Sequence, residues 1–130
     1  IYMPTGTGKI GYIDVRDIAA VGVEALTGEG HEGQIYELTG PEAISNGEAA
    51  QILSEVTGKK VEFVDVPGDA ARKSMTEHGT PEWMADAMME LYDVYKAGYS
   101  NQVFDSVQAV TDRKPHSFRQ FAQDYKECFV

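Results

Sequence analysis

Over residues 1–66, β-like runs alternate with helix-start signals, and after residue 66 only helix signals follow. Lys9-Ile10-Gly11-Tyr12-Ile13 reads as a short strand. Gln34-Ile35-Tyr36-Glu37-Leu38-Thr39 reads as a second, ended by Gly40-Pro41, and Val61-Glu62-Phe63-Val64-Asp65-Val66 as a third, cut off by Pro67-Gly68. Between the first two, Asp14 sits where an N-cap belongs, and Ile18, Val21, Gly22 and Ala25 share one helical face up to Gly28. Between the second and third, Ser45 and Glu48 form a capping box ahead of the stripe Ala49, Ile52, Leu53 and Val56, closed by Gly58. Such alternation predicts a mixed α/β unit rather than a helical bundle.

The remainder predicts helices over 70–77, over 81–97 with Pro81 in its first turn and Gly98 after its end, and around 104–110. A last helix opens at Ser117, paired with Gln120 as a second capping box, and carries Phe118, Phe121, Ala122 and Tyr125 on one face. No repeat, low-complexity tract or long linker interrupts the chain, so residues 1–130 read as a single unit. At 42% hydrophobic residues, it holds enough apolar material for a sizeable core. Two or three short strands make a poor sheet, however, and their apolar faces would look for partners outside this chain.

Charge narrows the function classes. Eleven basic against 21 acidic residues leave a formal net charge of −10. No basic surplus exists to displace counterions from a nucleic acid or to meet an anionic membrane surface. No run of about 18 apolar residues predicts a transmembrane helix. Ile1-Tyr2-Met3-Pro4 lacks the regions of a signal peptide, and the single Cys128 can form no internal disulfide, which together predict a cytoplasmic protein. Position 1 is not methionine, so the chain reads as a fragment, a processed product or an engineered piece.

Few motifs carry chemistry by themselves. Gly6-Thr7-Gly8-Lys9-Ile10-Gly11 matches G-x-G-x-x-G, but that pattern cradles a pyrophosphate only between a strand and an opening helix. Here a strand follows it, which predicts a plain glycine loop. Tyr92 and Lys96 match Y-x-x-x-K, in which an ammonium activates a phenol, yet they stand late in the long helix and read as packing. His31, His78 and His116 have no second ligand at metal spacing, no serine lies in a G-x-S-x-G elbow, and no histidine flanks Cys128. The long helix is more informative. Glu82, Asp86, Glu90 and Asp93 form an acidic wedge that should face water, with Met84, Met88, Leu91 and Tyr95 roughly opposite, widened by Trp83, Met89 and Tyr92. Met84, Met88 and Tyr92, at i, i+4 and i+8, project in nearly one direction and are the candidate edge of a substrate pocket, their thioethers offering adaptable contact. The alternative for this face is ordinary core packing.

Taken together, Lys9-Ile10-Gly11-Tyr12-Ile13-Asp14-Val15-Arg16-Asp17-Ile18-Ala19-Ala20 resembles the late strand-to-helix junction of NmrA-like, atypical short-chain dehydrogenase/reductase proteins. Ile35-Tyr36-Glu37-Leu38-Thr39-Gly40-Pro41, followed by residues 45–58 and 61–66, looks like that family's next segment. Pro81-Glu82-Trp83-Met84 and residues 113–121 resemble its C-terminal helices. The resemblance implies the C-terminal, substrate-side portion of an NAD(P)-binding Rossmann-like protein, without the N-terminal dinucleotide-binding part. Its G-x-x-G-x-x-G loop and most of its catalytic positions would lie upstream, so no catalytic, cofactor-binding or metal residue is carried over. Only the Asp14-Val15-Arg16-Asp17 junction matches, and both acids are expected to be structural helix-start residues. Asp112 stands where the family pattern has glycine in a Thr-Gly-Arg turn, which leaves the backbone conformation of that turn open.

Two functions of different class follow from the resemblance. One is the substrate-side half of an NAD(P)H-dependent oxidoreductase, acting on a small molecule and inactive alone. The other is a non-catalytic redox-sensing regulator that binds a protein partner or forms an oligomer. A third reading, an independent small-molecule module, requires a stable monomer with its own pocket. The glycine loop generates the first test: titration calorimetry of this chain with NADP(H) should show no saturable heat below the millimolar range. A micromolar site would overturn the reading of residues 6–11 as a plain loop.

Overall fold

Asp14 has the short acidic side chain that a helix start favours, and it caps the first helix, accepting the Arg16 backbone N–H at 2.8 Å. The structure, a computed structural model, describes residues 1–129. Its elements are β1 (Tyr2–Met3), β2 (Lys9–Ile10), α1 (Val15–Thr27), β3 (Ile44–Ser45), α2 (Asn46–Thr57), β4 (Val64–Asp65), α3 (Gly68–Glu77), α4 (Glu82–Lys96), α5 (Ser106–Thr111) and α6 (Phe118–Asp124), then a single 3-10 turn, Lys126–Cys128. The mixed α/β class is as the alternation predicts, and all six expected helices form.

Other caps also follow local chemistry. The Ser45 box is complete: the Ser45 hydroxyl accepts the Glu48 N–H, and Glu48 accepts the Ser45 N–H at 2.7 Å. Gly58 closes α2 in the left-handed region at φ 73°. The Ser117 box is only half made. Its hydroxyl accepts the Gln120 N–H, but the Gln120 side chain turns away to donate to Asp124 at 2.7 Å. Asp112 closes α5 at φ 55° and is the one non-glycine residue with positive φ among those described. The turn thus keeps a conformation natural to glycine with a side chain in place.

β2 and β4 fall inside the predicted runs 9–13 and 61–66, whereas β1 and β3 lie outside every predicted run. β1 runs parallel to β4, with Tyr2 opposite Val64 and Met3 opposite Asp65. β2 runs antiparallel to β3, with Lys9 opposite Ser45 and Ile10 opposite Ile44. The stretch 34–39 is irregular instead of a strand, because no described strand lies alongside it. It is held by side chains: the Tyr36 hydroxyl lies 2.9 Å from His31 Nδ1, and the Phe104 N–H donates to the Thr39 hydroxyl at 2.9 Å.

Packing joins α1 to α5, α2 to α6 and β3, α3 to α4, and α4 to β2. The core is thin. Among the described residues it consists of Val21, Ile44, Ala49, Ala50, Leu53, Ala85, Tyr92, Val107 and Ala122, while sixteen large apolar side chains stand at least 37% exposed. The apolar content that composition promised is therefore spread over the surface rather than gathered inside. Gly8 belongs to the same close packing: a Cβ there would lie 2.2 Å from the Tyr95 carbonyl oxygen at the end of α4.

Buried polar groups stitch this core together. The Tyr12 hydroxyl donates to Asn46 at 2.7 Å, and the Asn46 amide donates to the Thr5 hydroxyl at 2.8 Å. Asp14 receives Arg16 through Nε and Nη2, and Arg16 reaches on to Asp124 at 2.8 Å and lies over the Tyr125 ring. Asp17 is buried and accepts the His116 backbone N–H at 2.7 Å, with the His116 ring at the same distance from its other oxygen. Among the described residues, no buried side-chain polar atom lacks a partner.

These contacts set two expectations. Hydrogen bonds from Arg16 hold the Asp14 carboxyl below its ordinary range, against the opposing effect of burial. The stabilisation this provides is complete above about pH 5 and is lost as pH falls through the folded-state value, below the unfolded value of about 3.9. Asp14→Ala should thus cost about 2 kcal/mol at pH 7, through the lost helix cap and charged hydrogen bonds, because Arg16 is partly exposed and keeps Asp124. The gap from wild type in thermal melts should narrow as the pH drops below about 4. Gly8→Ala should cost about 2 kcal/mol by pushing β2 off α4, read by the same melts.

Candidate functional site

Parallel strands in α/β proteins present ligand sites beyond their carboxyl ends. Here β1 and β4 end at Met3 and Asp65, and the chain leaves them through Pro4-Thr5-Gly6 and Val66-Pro67-Gly68. The helices α3 and α4, packed on each other, flank this end. Two cavities lie there and share Pro4 and Tyr92 as a wall. One, of about 280 Å³, is bounded mainly by Tyr2, Val66, Ala70, Ala71 and Met75. The other, of about 190 Å³, is bounded by Met89 and by the charged Asp69, Arg72, Asp93 and Lys96. An apolar chamber thus adjoins a polar one.

Tyr92 is the hinge of the site. It is 6% exposed, and burial, with the nearby Tyr95, pushes its phenol pKa up. That is opposite to what Y-x-x-x-K chemistry needs, so Tyr92 serves as a wall with a protonated hydroxyl. Lys96 forms no ion pair among the described residues, whereas Arg72 is held by Asp86 at 2.6 Å. That contact raises the Arg72 pKa and lowers the Asp86 carboxyl.

Of the three pocket residues expected from sequence, Tyr92 lines both cavities. Met84, 42% exposed, and Met88, half-buried, line neither. The structure brings Met75 of α3 and Met89 of α4 to Tyr92 instead. The signal for Met89 lies in the helix phase: Ala85, Met89 and Tyr92 share a face at i, i+4 and i+7, and Ala85 is fully buried. Met75 belongs to this site only through the α3–α4 contact, which no spacing reveals. The acidic residues Glu82, Asp86, Glu90 and Asp93 are all exposed, as the wheel predicts.

The glycine loop is engaged with its own protein. The Gly6 N–H donates to an Asp65 carboxylate oxygen at 2.9 Å, the Gly8 N–H to the Thr5 carbonyl at 3.0 Å and the Gly11 N–H to the Ser100 carbonyl at 3.2 Å. The three glycine amides are thus already satisfied within the chain, and β2 rather than a helix follows. Residues 6–11 do not fit a dinucleotide cradle. Among the described residues, no group of three His, Cys, Asp or Glu side chains could hold a metal ion.

A further recess of about 260 Å³ lies between Tyr12, Val15, His116, Phe118 and Phe121. Its polar groups are already taken: Asp14 by Arg16, His116 by Asp17 and the Tyr12 hydroxyl by Asn46. Among the described residues, no helix is long and apolar enough to cross a membrane.

No family profile matches the chain. The NAD(P)H azoreductase of Xenophilus azovorans is 46% identical over 128 residues, which are 98% of this chain and 45% of that protein. A (4-alkanoyl-5-oxo-2,5-dihydrofuran-3-yl)methyl phosphate reductase of Streptomyces griseus is 36% identical over 125 residues, 96% of this chain and 44% of that one. The crystal structure of the Citrobacter sp. triphenylmethane reductase complexed with NADP(H) has the same fold over 95% of this chain and 43% of its own, with a TM-score of 0.82 and 27% identity. The chain spans about half the length of the curated relatives it matches. Sequence likeness to two reductases and fold likeness to a third agree with the strand-to-helix junction at Lys9–Ile10 and α1, and the chain belongs to the NmrA-like, atypical short-chain dehydrogenase/reductase family of NAD(P)-binding proteins.

Proposed function

We propose that residues 1–130 form the substrate-side, C-terminal portion of an NAD(P)H-dependent oxidoreductase and act only together with a dinucleotide-binding half. The observation that carries this reading is the pair of cavities at the carboxyl ends of β1 and β4, walled by Tyr92. The apolar chamber suits the body of an aromatic or otherwise apolar small molecule, and the chamber beside Lys96 and Asp93 suits its polar substituent. The names of the azoreductase and triphenylmethane reductase relatives support a substrate of that kind. Reducing power would come from the NAD(P)H held by the other half. This chain's own residues bind and orient the substrate and keep water from it. Tyr92 and Met89 would meet the substrate from α4 and Met75 from α3, with the thioethers adapting to its outline.

The reading is tested by joining this chain to the nucleotide-binding half of the Xenophilus azovorans azoreductase. The joined protein should reduce an azo dye or a quinone with NADPH, and the chain alone should not. Enzyme-like turnover by the chain alone would reject it. In the joined protein, Met75→Glu, which puts a charge into the apolar chamber, should raise KM about tenfold or more, equivalent to about 1.4 kcal/mol of binding, with cofactor affinity unchanged. A large loss of melting temperature without a change in KM would instead place Met75 in the core.

A further inference from the structure

Helix α4 carries an enclosed side chain whose polar atom the protein itself does not use. Of the buried side chains with an oxygen or nitrogen, Thr5, Asp14, Asp17 and Asn46 are all bonded within the chain. Tyr92, 6% exposed, is the exception. Among the described residues its hydroxyl has no hydrogen-bond partner, whereas the Tyr12 and Tyr36 hydroxyls reach Asn46 and His31. No sealed side-chain polar atom among those residues lacks a partner, so the Tyr92 oxygen is itself open. The open space beside Tyr92 is the pair of chambers it walls. Phenylalanine would close an apolar wall equally well without taking a donor out of water. Burial keeps the phenol protonated, so what it offers is an O–H.

Placement says which atom of a ligand this donor meets. The two chambers share only Tyr92 and Pro4, so a molecule that spans them passes the phenol at its middle. One end lies in the apolar chamber against Val66, Ala71 and Met75, and the other beside Asp93 and Lys96. Proline has no N–H, so Tyr92 supplies the donor of the shared wall. In an aromatic molecule of that outline, the middle is the group that links its two ends. We infer that the Tyr92 hydroxyl is a specificity-determining group: it donates a hydrogen bond to an azo nitrogen or carbonyl oxygen at the middle of the substrate. It thereby selects molecules whose linking group accepts a hydrogen bond over hydrocarbons of the same outline. The inference rests on the two-chamber reading proposed above. A site built to hydrogen-bond one group rejects an analogue that lacks it, because the donor is then left unpaired. The contact needs no ionised tyrosine, and Lys96 serves only the polar chamber.

Azobenzene and trans-stilbene test it, because they share an outline and differ in N=N against CH=CH. All residues that line the chambers belong to this chain, so each compound is titrated into the chain itself, as wild type, Tyr92→Phe and Tyr95→Phe. The ratio of azobenzene to stilbene affinity should fall about fivefold in Tyr92→Phe, as expected for one hydrogen bond to a neutral acceptor. It should hold in Tyr95→Phe, which removes a hydroxyl from the same helix but outside both chambers. Tyr92→Phe should melt within about 2 °C of wild type, since the ring and its packing are kept. An unchanged ratio with both compounds bound would leave the chambers as the site and overturn the hydrogen bond alone. Equal falls in the two variants would overturn it too, as would a Tyr92→Phe chain that unfolds, because the hydroxyl would then be structural. Binding of neither compound up to the millimolar range would overturn the two-chamber reading, and this inference with it.

Discussion

Two buried carboxylates at the start of α1 hold the ends of this molecule together. Asp17 grips both the backbone and the ring of His116, 99 residues further along the chain. Asp14, three residues before it, is enclosed by Arg16, which in turn reaches Asp124 in α6. Charges are expensive to bury, and these are tolerated because each oxygen that faces the interior meets a donor. The last helix thereby comes to rest beside the first. With so few large side chains inside, directional hydrogen bonds rather than oily volume define how the elements meet.

The same economy explains what could be read from residues and what could not. Asp14, Ser45 with Glu48, Gly58 and Ser117 announced their helix ends because capping is settled within a few residues of backbone. Tyr2 and Ile44 gave no such notice. Their strands are two residues long and exist only because a partner from far along the chain arrives beside them. The run 34–39 shows the converse: strand-like composition at Ile35, Tyr36 and Leu38 yields no strand where no neighbour is supplied. Gln120 illustrates competition between local solutions, since Asp124 attracts its amide more strongly than the backbone of Ser117 does.

The site was partly legible for similar reasons. Tyr92 stands out as a bulky residue in a strongly periodic helix, and it is the shared wall of both chambers. Which side of α4 turns inward depends on Ala85, whose missing bulk lets a neighbour approach closely. Reading the wheel from its acidic wedge places the interior directly opposite, near Met84 and Leu91, whereas the close approach at Ala85 rotates it toward Met89. Met75 enters from a different helix and carries no local signal at all. The glycine triplet is the reverse lesson: a pattern associated with phosphate can equally serve a tight loop whose amides are satisfied at home.

The pairing of β1 with β4 also dictates an order of events during synthesis. The turn after β1 waits for Asp65, 59 residues later, before the Gly6 amide finds its acceptor. His116 must then emerge before the Asp17 carboxylate finds its donors. Contacts so distant along the chain close slowly, because their loop entropy is lost before the contact forms. Throughout that interval α1 is already a helix in outline, with Val15, Ile18, Val23 and Leu26 exposed and its buried Asp17 still without donors. The exposed side of α1 is therefore made before the residues that complete its packing, the circumstance in which nascent chains depend on chaperones.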